Sequence, residues 1–73
     1  MIILETSTHI FSIRPCSDGS TGDEVLIDSK VIGKIISKTE FKVGTRAVFT
    51  FAVGSNPDTD WGMIITPIIT EIK

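Results

Sequence analysis

His9 and Cys16 are the two side chains of this 73-residue sequence whose types could supply a base and a nucleophile. A cysteine–histidine enzyme also needs a group that orients the histidine and donors that stabilise an oxyanion. The sequence shows neither, and His9 shares the strand parity of Phe11 and Ile13. We therefore interpret His9 as a half-buried sheet histidine and Cys16 as a bystander loop thiol, and we predict that the protein is not an enzyme.

Oxygen-bearing side chains in residues 56–60 match the first, third and fifth positions of a calcium-binding loop. The match fails where such a loop needs a glycine and a bidentate glutamate, because Trp61 and Pro67 occupy those positions. A second acidic loop, which we interpret as solvated, carries Asp18, Asp23 and Glu24. We predict that the protein has no metal site and no cofactor.

Basic residues recur at every fourth position, namely Lys30, Lys34, Lys38, Lys42 and Arg46. In an uninterrupted strand, residues four apart face the same side, so we expect Lys30, Lys34 and Lys38 to form a basic stripe. The stripe could bind phosphate, but lysines on an edge strand also prevent pairing between edges. A net charge of -2 excludes a strongly basic nucleic-acid module, and nucleic acid is not the partner we expect.

The composition favours strands over helices. Ile occurs 13 times, Thr 9 times and Val 5 times, whereas Ala and Leu occur twice each. β-Branched side chains lose rotamer freedom in a helix and fit a pleated surface. We predict one all-β domain over residues 1–73, arranged as a five- to six-stranded antiparallel, partly closed β-barrel of OB or SH3 size.

Turn residues divide the chain into candidate strands. We expect one long or broken strand over 2–14, strands at 25–27, 30–37 and 45–53, and a final strand over 61–73 that Pro67 interrupts. Asp28 and Ser29 form a predicted tight turn. The strand over 45–53 alternates most regularly, and its predicted core face carries Ala47, Phe49, Phe51 and Val53, packed with Val25 and Ile27.

Residues 41–54 resemble the late strand of cold-shock and related OB-fold domains, where an apolar residue, two spacers and a glycine precede an alternating strand. Phe41 and Gly44 take those positions here. The resemblance implies a β-barrel, and those families bind single-stranded nucleic acid by stacking bases on exposed aromatics. Phe49 and Phe51 lie on the predicted core face and Tyr is absent, so that stacking surface is not reproduced.

Four pairs of adjacent isoleucines place an apolar side chain on both faces of a strand, namely Ile2-Ile3, Ile35-Ile36, Ile64-Ile65 and Ile68-Ile69. One member of each pair needs cover outside the core, which a partner chain could supply. Tryptophan and methionine are enriched where proteins meet. The predicted protein interface therefore consists of Trp61, Met63, Ile64, Ile65, Ile68 and Ile69.

By elimination, the sequence predicts a small protein-binding module, an inhibitor or adaptor of viral or mobile-element origin. The alternatives are an OB-like nucleic-acid-binding module that uses the lysine stripe and a structural subunit of a viral particle or other assembly. The expected partner is another protein or a second copy of the chain. Apolar runs are too short to span a bilayer, no secretory signal is recognised and Cys16 has no disulfide partner, so we expect a cytoplasmic or virion location.

Overall fold

The computed structural model describes residues 1–54 and 59–73 and folds them into one antiparallel sheet. Its strands are β1 (Ile2–Thr6), β2 (Ile10–Pro15), β3 (Asp23–Ile27), β4 (Lys30–Lys38), β5 (Val48–Ala52), β6 (Trp61–Ile65) and β7 (Ile69–Ile72). The strand order is β6-β5-β4-β3-β2-β1-β7. The all-β prediction is confirmed, although the sheet has seven strands rather than five or six. Within the described residues, no helix is long and apolar enough to cross a membrane.

Local interactions define the turn between β1 and β2 and the turn between β3 and β4. The predicted strand over 2–14 is broken, because the Thr6 hydroxyl accepts the His9 N–H at 3.0 Å and donates to the His9 carbonyl at 2.7 Å. The predicted turn between β3 and β4 is confirmed. Asp28 and Ser29 have φ values of 49° and 70°, as a two-residue type I′ hairpin turn requires.

The predicted final strand is in fact two strands, β6 and β7, which lie at opposite edges of the sheet. Only residues 66–68 separate them along the chain. An extended chain spans at most about 3.6 Å per residue, so the Cα atoms of Ile65 and Ile69 are within about 14 Å of each other. The sheet must therefore coil until its edges approach, but β6 and β7 do not pair and the sheet is not closed.

Thr66 makes the corner between β6 and β7 possible. Its N–H donates to the Ala47 carbonyl at 2.9 Å, and its hydroxyl accepts the Ala47 N–H at 2.9 Å. The same hydroxyl donates to the Pro67 carbonyl at 2.9 Å. The Thr66 carbonyl instead accepts Arg46 Nη1 at 3.3 Å, so the buried Thr66 hydroxyl takes its place as the acceptor for the Ala47 N–H.

The core occupies one face of the coiled sheet. Its buried members are Leu4, Phe11, Ile13, Val25, Ala47, Phe49 and Ile69, with Ile27, Ile32, Ile35, Phe41, Phe51 and Ile64 partly buried against them. The predicted core face of the segment 45–53 is confirmed for Ala47 and Phe49, and Phe51 is partly buried against the core. Val53 was wrongly placed there: it lies beyond the end of β5 and is 58% exposed.

Three of the four isoleucine pairs divide between the two faces as expected. Ile35, Ile64 and Ile69 pack in or against the core, whereas their neighbours Ile36, Ile65 and Ile68 are exposed. In the fourth pair, neither Ile2 nor Ile3 belongs to the core cluster. The sheet therefore carries apolar side chains on its outer face, with no second layer of described residues above them.

Two β-bulges interrupt β4. Ile32 is the extra residue where Gly33 pairs with Val25 and Val31 pairs with Leu26. Ile36 is a second extra residue, because Ile35 pairs with Phe51 and Ser37 pairs with Thr50 in β5. Each bulge inserts one residue and so reverses the face on which the following side chains lie.

Candidate functional site

Strand β6 presents three large apolar side chains on the outer face of the sheet. Trp61, Met63 and Ile65 alternate with Gly62 and Ile64, and Ile64 packs against the core. The exposed fractions are 54% for Trp61, 61% for Met63 and 56% for Ile65. We call these three side chains the β6 row. It is an unbroken apolar line on an edge strand.

The Phe51 ring supports β6 from the core side. Phe51 pairs with Gly62, and a Cβ added at Gly62 would lie 3.0 Å from Phe51 Cζ. On the other side of β5, a Cβ added at Gly33 would lie 2.8 Å from Phe51 Cδ2. The ring therefore lies against two glycine backbones at once. It packs β6 and β4 against β5 on the core side, beneath the β6 row.

A shallow groove of about 350 Å³ runs beside the β6 row and is lined by Ile36, Thr50, Trp61 and Met63. Thr50 pairs with Met63, so their side chains share the outer face. Ile36 reaches this face because it follows the core-side Ile35, whose parity is set by the first bulge in β4, at Ile32. The groove can accept one side chain of a partner next to the tryptophan.

The structure divides the six residues of the predicted interface. Trp61, Met63 and Ile65 form the β6 row, and Ile68 is exposed in the corner between β6 and β7. The other two face the core: Ile69 is fully buried, and Ile64 is partly buried against the core. This distribution follows the expectation that one member of each isoleucine pair is exposed.

Sequence reasoning missed Ile36 and Thr50 as neighbours of Trp61. Thr50 alternates with Phe49 and Phe51 along β5, which identifies it as an outer-face residue. For Ile36, regular alternation from Ile32 would predict the core face, and only the bulge at Ile32 places it on the outer face. The groove could therefore not be found from sequence periodicity alone.

The first bulge separates two lysines of the predicted basic stripe. Lys30 pairs with Ile27, which packs against the core, whereas Lys34 pairs with Glu24 on the outer face. The bulge at Ile32 lies between them and reverses the parity. Lys30 and Lys34 therefore project to opposite faces of the sheet, and the equal spacing in the sequence does not produce a common surface.

The second bulge separates Lys34 from Lys38 in the same way. Lys38 pairs with the buried Phe49, and its Nζ lies 4.7 Å from the centroid of the Phe41 ring. This cation–π contact occupies Lys38 at the end of β4. The stripe of Lys30, Lys34 and Lys38 is therefore not formed, which removes the geometric basis for the nucleic-acid alternative.

Glu24 is buried, contrary to the expectation that its acidic loop is solvated. Its carboxylate accepts the Ser17 N–H at 2.8 Å, the Ser17 hydroxyl at 3.2 Å and the Arg14 Nη2 donor at 3.3 Å. The Ser17 N–H lowers the pKa of Glu24 most, and the Ser17 hydroxyl and Arg14 lower it further against the opposing effect of burial. The carboxylate is a structural anchor for the loop after β2.

That loop borders a hollow of about 260 Å³, lined in part by Cys16, Ser17, Glu24 and Lys34. Asp18 closes the loop by accepting the Ser20 hydroxyl at 2.6 Å and the Ser20 N–H at 2.9 Å. The Ser20 hydroxyl is also the largest cause of the lowered pKa of Asp18. The Asp18 and Glu24 carboxylates are therefore both hydrogen-bonded to residues of this loop.

His9 precedes β2 rather than lying within a strand, and its side chain is half exposed. Its Nδ1 lies 2.7 Å from Asp28 Oδ2, while Asp28 Oδ1 accepts the Ile10 N–H at 3.0 Å. The Ile10 N–H is the largest cause of the lowered pKa of Asp28. Cys16 lies beyond the other end of β2, roughly 20 Å away at about 3.3 Å per residue. His9 therefore fastens a turn and does not form a pair with the thiol.

Within residues 1–54 and 59–73, no group of three or more His, Cys, Asp and Glu side chains could hold a metal ion. The partial calcium-loop motif over 56–60 lies largely outside the described residues, since residues 55–58 are not among them.

Comparison with known proteins adds no family to this description. The chain matches no family model, no curated protein and no solved structure.

Proposed function

We propose that this chain is a non-enzymatic module that binds a protein partner through the β6 row and the open edge of β6. The observation that carries the proposal is the line of Trp61, Met63 and Ile65, each more than half exposed on an edge strand. Contiguous exposed apolar surface typically marks an interaction site, and tryptophan and methionine are enriched at such sites.

The backbone of β6 provides a second means of attachment. Among the described residues β6 pairs with β5 alone, so one side of its backbone has no strand partner. An extended segment of another chain can add to such an edge, with main-chain hydrogen bonds for affinity and side-chain contacts for specificity. The β6 row would then contact the side chains that the added strand carries on the same outer face.

The exposed part of Trp61 sets the scale of the interaction. A tryptophan side chain buries about 200 Å² in a core, and roughly half of Trp61 is exposed, so about 100 Å² remains to be covered. At about 25 cal/mol per Å², covering it contributes about 2.5 kcal/mol. We expect Trp61→Ala to weaken partner binding by about 2 kcal/mol, while its melting temperature stays within a few degrees of wild type.

Site-specific photo-crosslinking tests the proposal. A photoreactive amino acid at Met63 should give a discrete protein adduct in the cells that naturally produce the chain. The matched control is the same amino acid at Ile10, an exposed residue of β2 that three strands separate from β6. Trp61→Ala should reduce the Met63 adduct. Equal labelling at both positions, or no adduct at Met63, would refute a partner at β6.

A further inference from the structure

The loop between β2 and β3, residues 16–22, lies partly over the outer face of β4. Residues of this loop line the hollow of about 260 Å³ together with Val31 and Lys34 of that strand. A Cβ added at Gly22 would lie 3.1 Å from Lys34 Cε, so the loop backbone touches the lysine side chain. We call residues 16–22 the strap, because they cover part of β4.

The side chains of the strap contribute little to holding it in place. Residues 17–22 are all exposed, and Cys16 is only partly buried. The Cys16 N–H donates to the Gly22 carbonyl at 3.2 Å, and the Gly19 N–H donates to the Cys16 carbonyl at 3.3 Å. These hydrogen bonds shape the strap, but they do not attach it to the outer face of the sheet.

The Glu24 carboxylate attaches the strap to the sheet. Glu24 lies in β3, is only 5% exposed, and accepts the Ser17 N–H at 2.8 Å and the Ser17 hydroxyl at 3.2 Å. An ionised carboxylate is a stronger acceptor than a neutral acid, because the charge assists the hydrogen bond. Protonation of Glu24 therefore weakens both of its bonds to Ser17.

Charged groups surround Glu24 from each element packed against it. Arg14 of β2 donates from Nη2 to its carboxylate at 3.3 Å, and Lys34 is its pairing partner in β4. The strap contributes Asp18, whose carboxylate is hydrogen-bonded within the strap. Asp23 precedes Glu24 on β3, and its side chain alternates to the other face. The pKa of Glu24 is lowered, with the backbone N–H donated by the strap as the largest cause.

We propose that the strap is an acid-released cover, which Glu24 holds over β4 while its carboxylate is ionised and which opens once that carboxylate is protonated. Because the pKa of Glu24 is lowered in the closed form, closure is favoured above the ordinary value of 4.5 and is lost as the pH falls below it.

The part of β4 that the strap covers adjoins the β6 row. Lys34 pairs with Ala52, and Ala52 pairs with Trp61, so the three side chains lie in one line across the outer face. Release of the strap therefore enlarges the outer surface that ends at the β6 row. The strap would open in this way whether or not a partner binds there.

Amide hydrogen exchange followed by NMR tests the release. The reporters are the N–H groups of Cys16 and Ser17, and their protection factors correct for the intrinsic effect of pH on exchange. In the wild-type protein, protection of both should fall about tenfold between pH 6 and pH 3. The Phe51 N–H, in β5 and away from the strap, should stay protected over the same range.

Glu24→Gln separates strap release from the general effects of acid. Glutamine has the size of the protonated acid and cannot ionise, so protection of the strap in E24Q should be about tenfold below wild type at pH 7 and should not change with pH. The matched control is Asp18→Asn, which removes a carboxylate from the strap and leaves the contact between Glu24 and Ser17 in place. Protection of the Ser17 N–H in D18N should remain within about twofold of wild type.

The variants at pH 7 decide the outcome even if the wild-type chain unfolds as a whole at low pH, which loss of protection at Phe51 would report. Strap protection in E24Q equal to that of wild type would overturn the release by Glu24. An equal loss of protection in D18N and E24Q would overturn it as well, because the strap would then depend on its acidic charge in general.

Discussion

The contact between Phe51 and Gly62 predicts that the effect of Gly62→Ala on stability depends on residue 51. The substitution should destabilise the wild-type protein and stabilise the Phe51→Leu variant. Gly62 has no left-handed φ, so its backbone accepts alanine. The added Cβ would lie 3.0 Å from Cζ and 3.1 Å from Cε2 of Phe51. The ring cannot move away freely, because it also lies against Gly33 on the other side of β5. Gly62→Ala therefore overpacks a ring that is held from two sides.

The magnitude follows from two opposing terms. Overpacking a well-filled site costs about 1–3 kcal/mol. Replacing glycine lowers the entropy of the unfolded chain and returns about 0.5–1 kcal/mol. We expect Gly62→Ala to reduce the free energy of unfolding by about 1–2 kcal/mol, which corresponds to a melting temperature lower by roughly 5–15 °C. In a Phe51→Leu background the ring is gone, so Gly62→Ala should stabilise by about 0.5–1 kcal/mol.

Urea unfolding of the four proteins in this cycle measures the coupling, which we expect to be about 2 kcal/mol. Gly33→Ala is the control, because its Cβ would meet the backbone oxygen of Ala52 as well as the ring. Gly33→Ala should therefore destabilise the protein in both backgrounds, whether residue 51 is Phe or Leu. Equal costs of Gly62→Ala in the two backgrounds would show that the Phe51 ring does not support β6.

Three further substitutions test the corner, the buried carboxylate and the core. Thr66→Val leaves the buried Ala47 N–H without an acceptor and should cost about 1–3 kcal/mol in urea unfolding; an unchanged midpoint would contradict the role of the hydroxyl. Because its pKa is lowered in the fold, Glu24 contributes stability that is present above its unfolded value of 4.5 and lost as the pH falls below it. The loss of stability between pH 7 and pH 3 should therefore be smaller in Glu24→Gln than in wild type, and an equal loss would refute the anchor. Phe49→Ala should lower the free energy of unfolding by about 3–5 kcal/mol, whereas Val53→Ala should change it by no more than about 0.5 kcal/mol. Similar losses for the two variants would contradict the burial of Phe49 and the exposure of Val53.

Features that depend on neighbouring residues along the chain could be read from the sequence. The excess of β-branched residues predicts an all-β fold, since the preference of each side chain for a pleated backbone is local. The alternation that places Phe49 inside and Thr50 outside is local for the same reason. Asp28 and Ser29 form the predicted turn because two residues suffice to reverse the chain.

Features that depend on register could not be predicted. Equal spacing of Lys30, Lys34 and Lys38 indicates one face only if the strand is regular, and two bulges make it irregular. A bulge forms where the pairing of β4 with β3 and β5 requires an extra residue, so its position depends on three strands together. Ile36 enters the groove beside Trp61 by this means.

Burial of a polar group and the position of a strand in the sheet are also non-local. Glu24 is buried because Ser17 and Arg14 satisfy its carboxylate, and neither contact follows from the acidic character of the segment. Trp61 and Met63 are predicted interface residues on the basis of residue type and parity, but their strand is an edge only because the chain turns at Thr66 and crosses to the far side of the sheet. Sheet hydrogen bonds join residues distant in sequence, so the tertiary structure alone decides which strand remains unpaired.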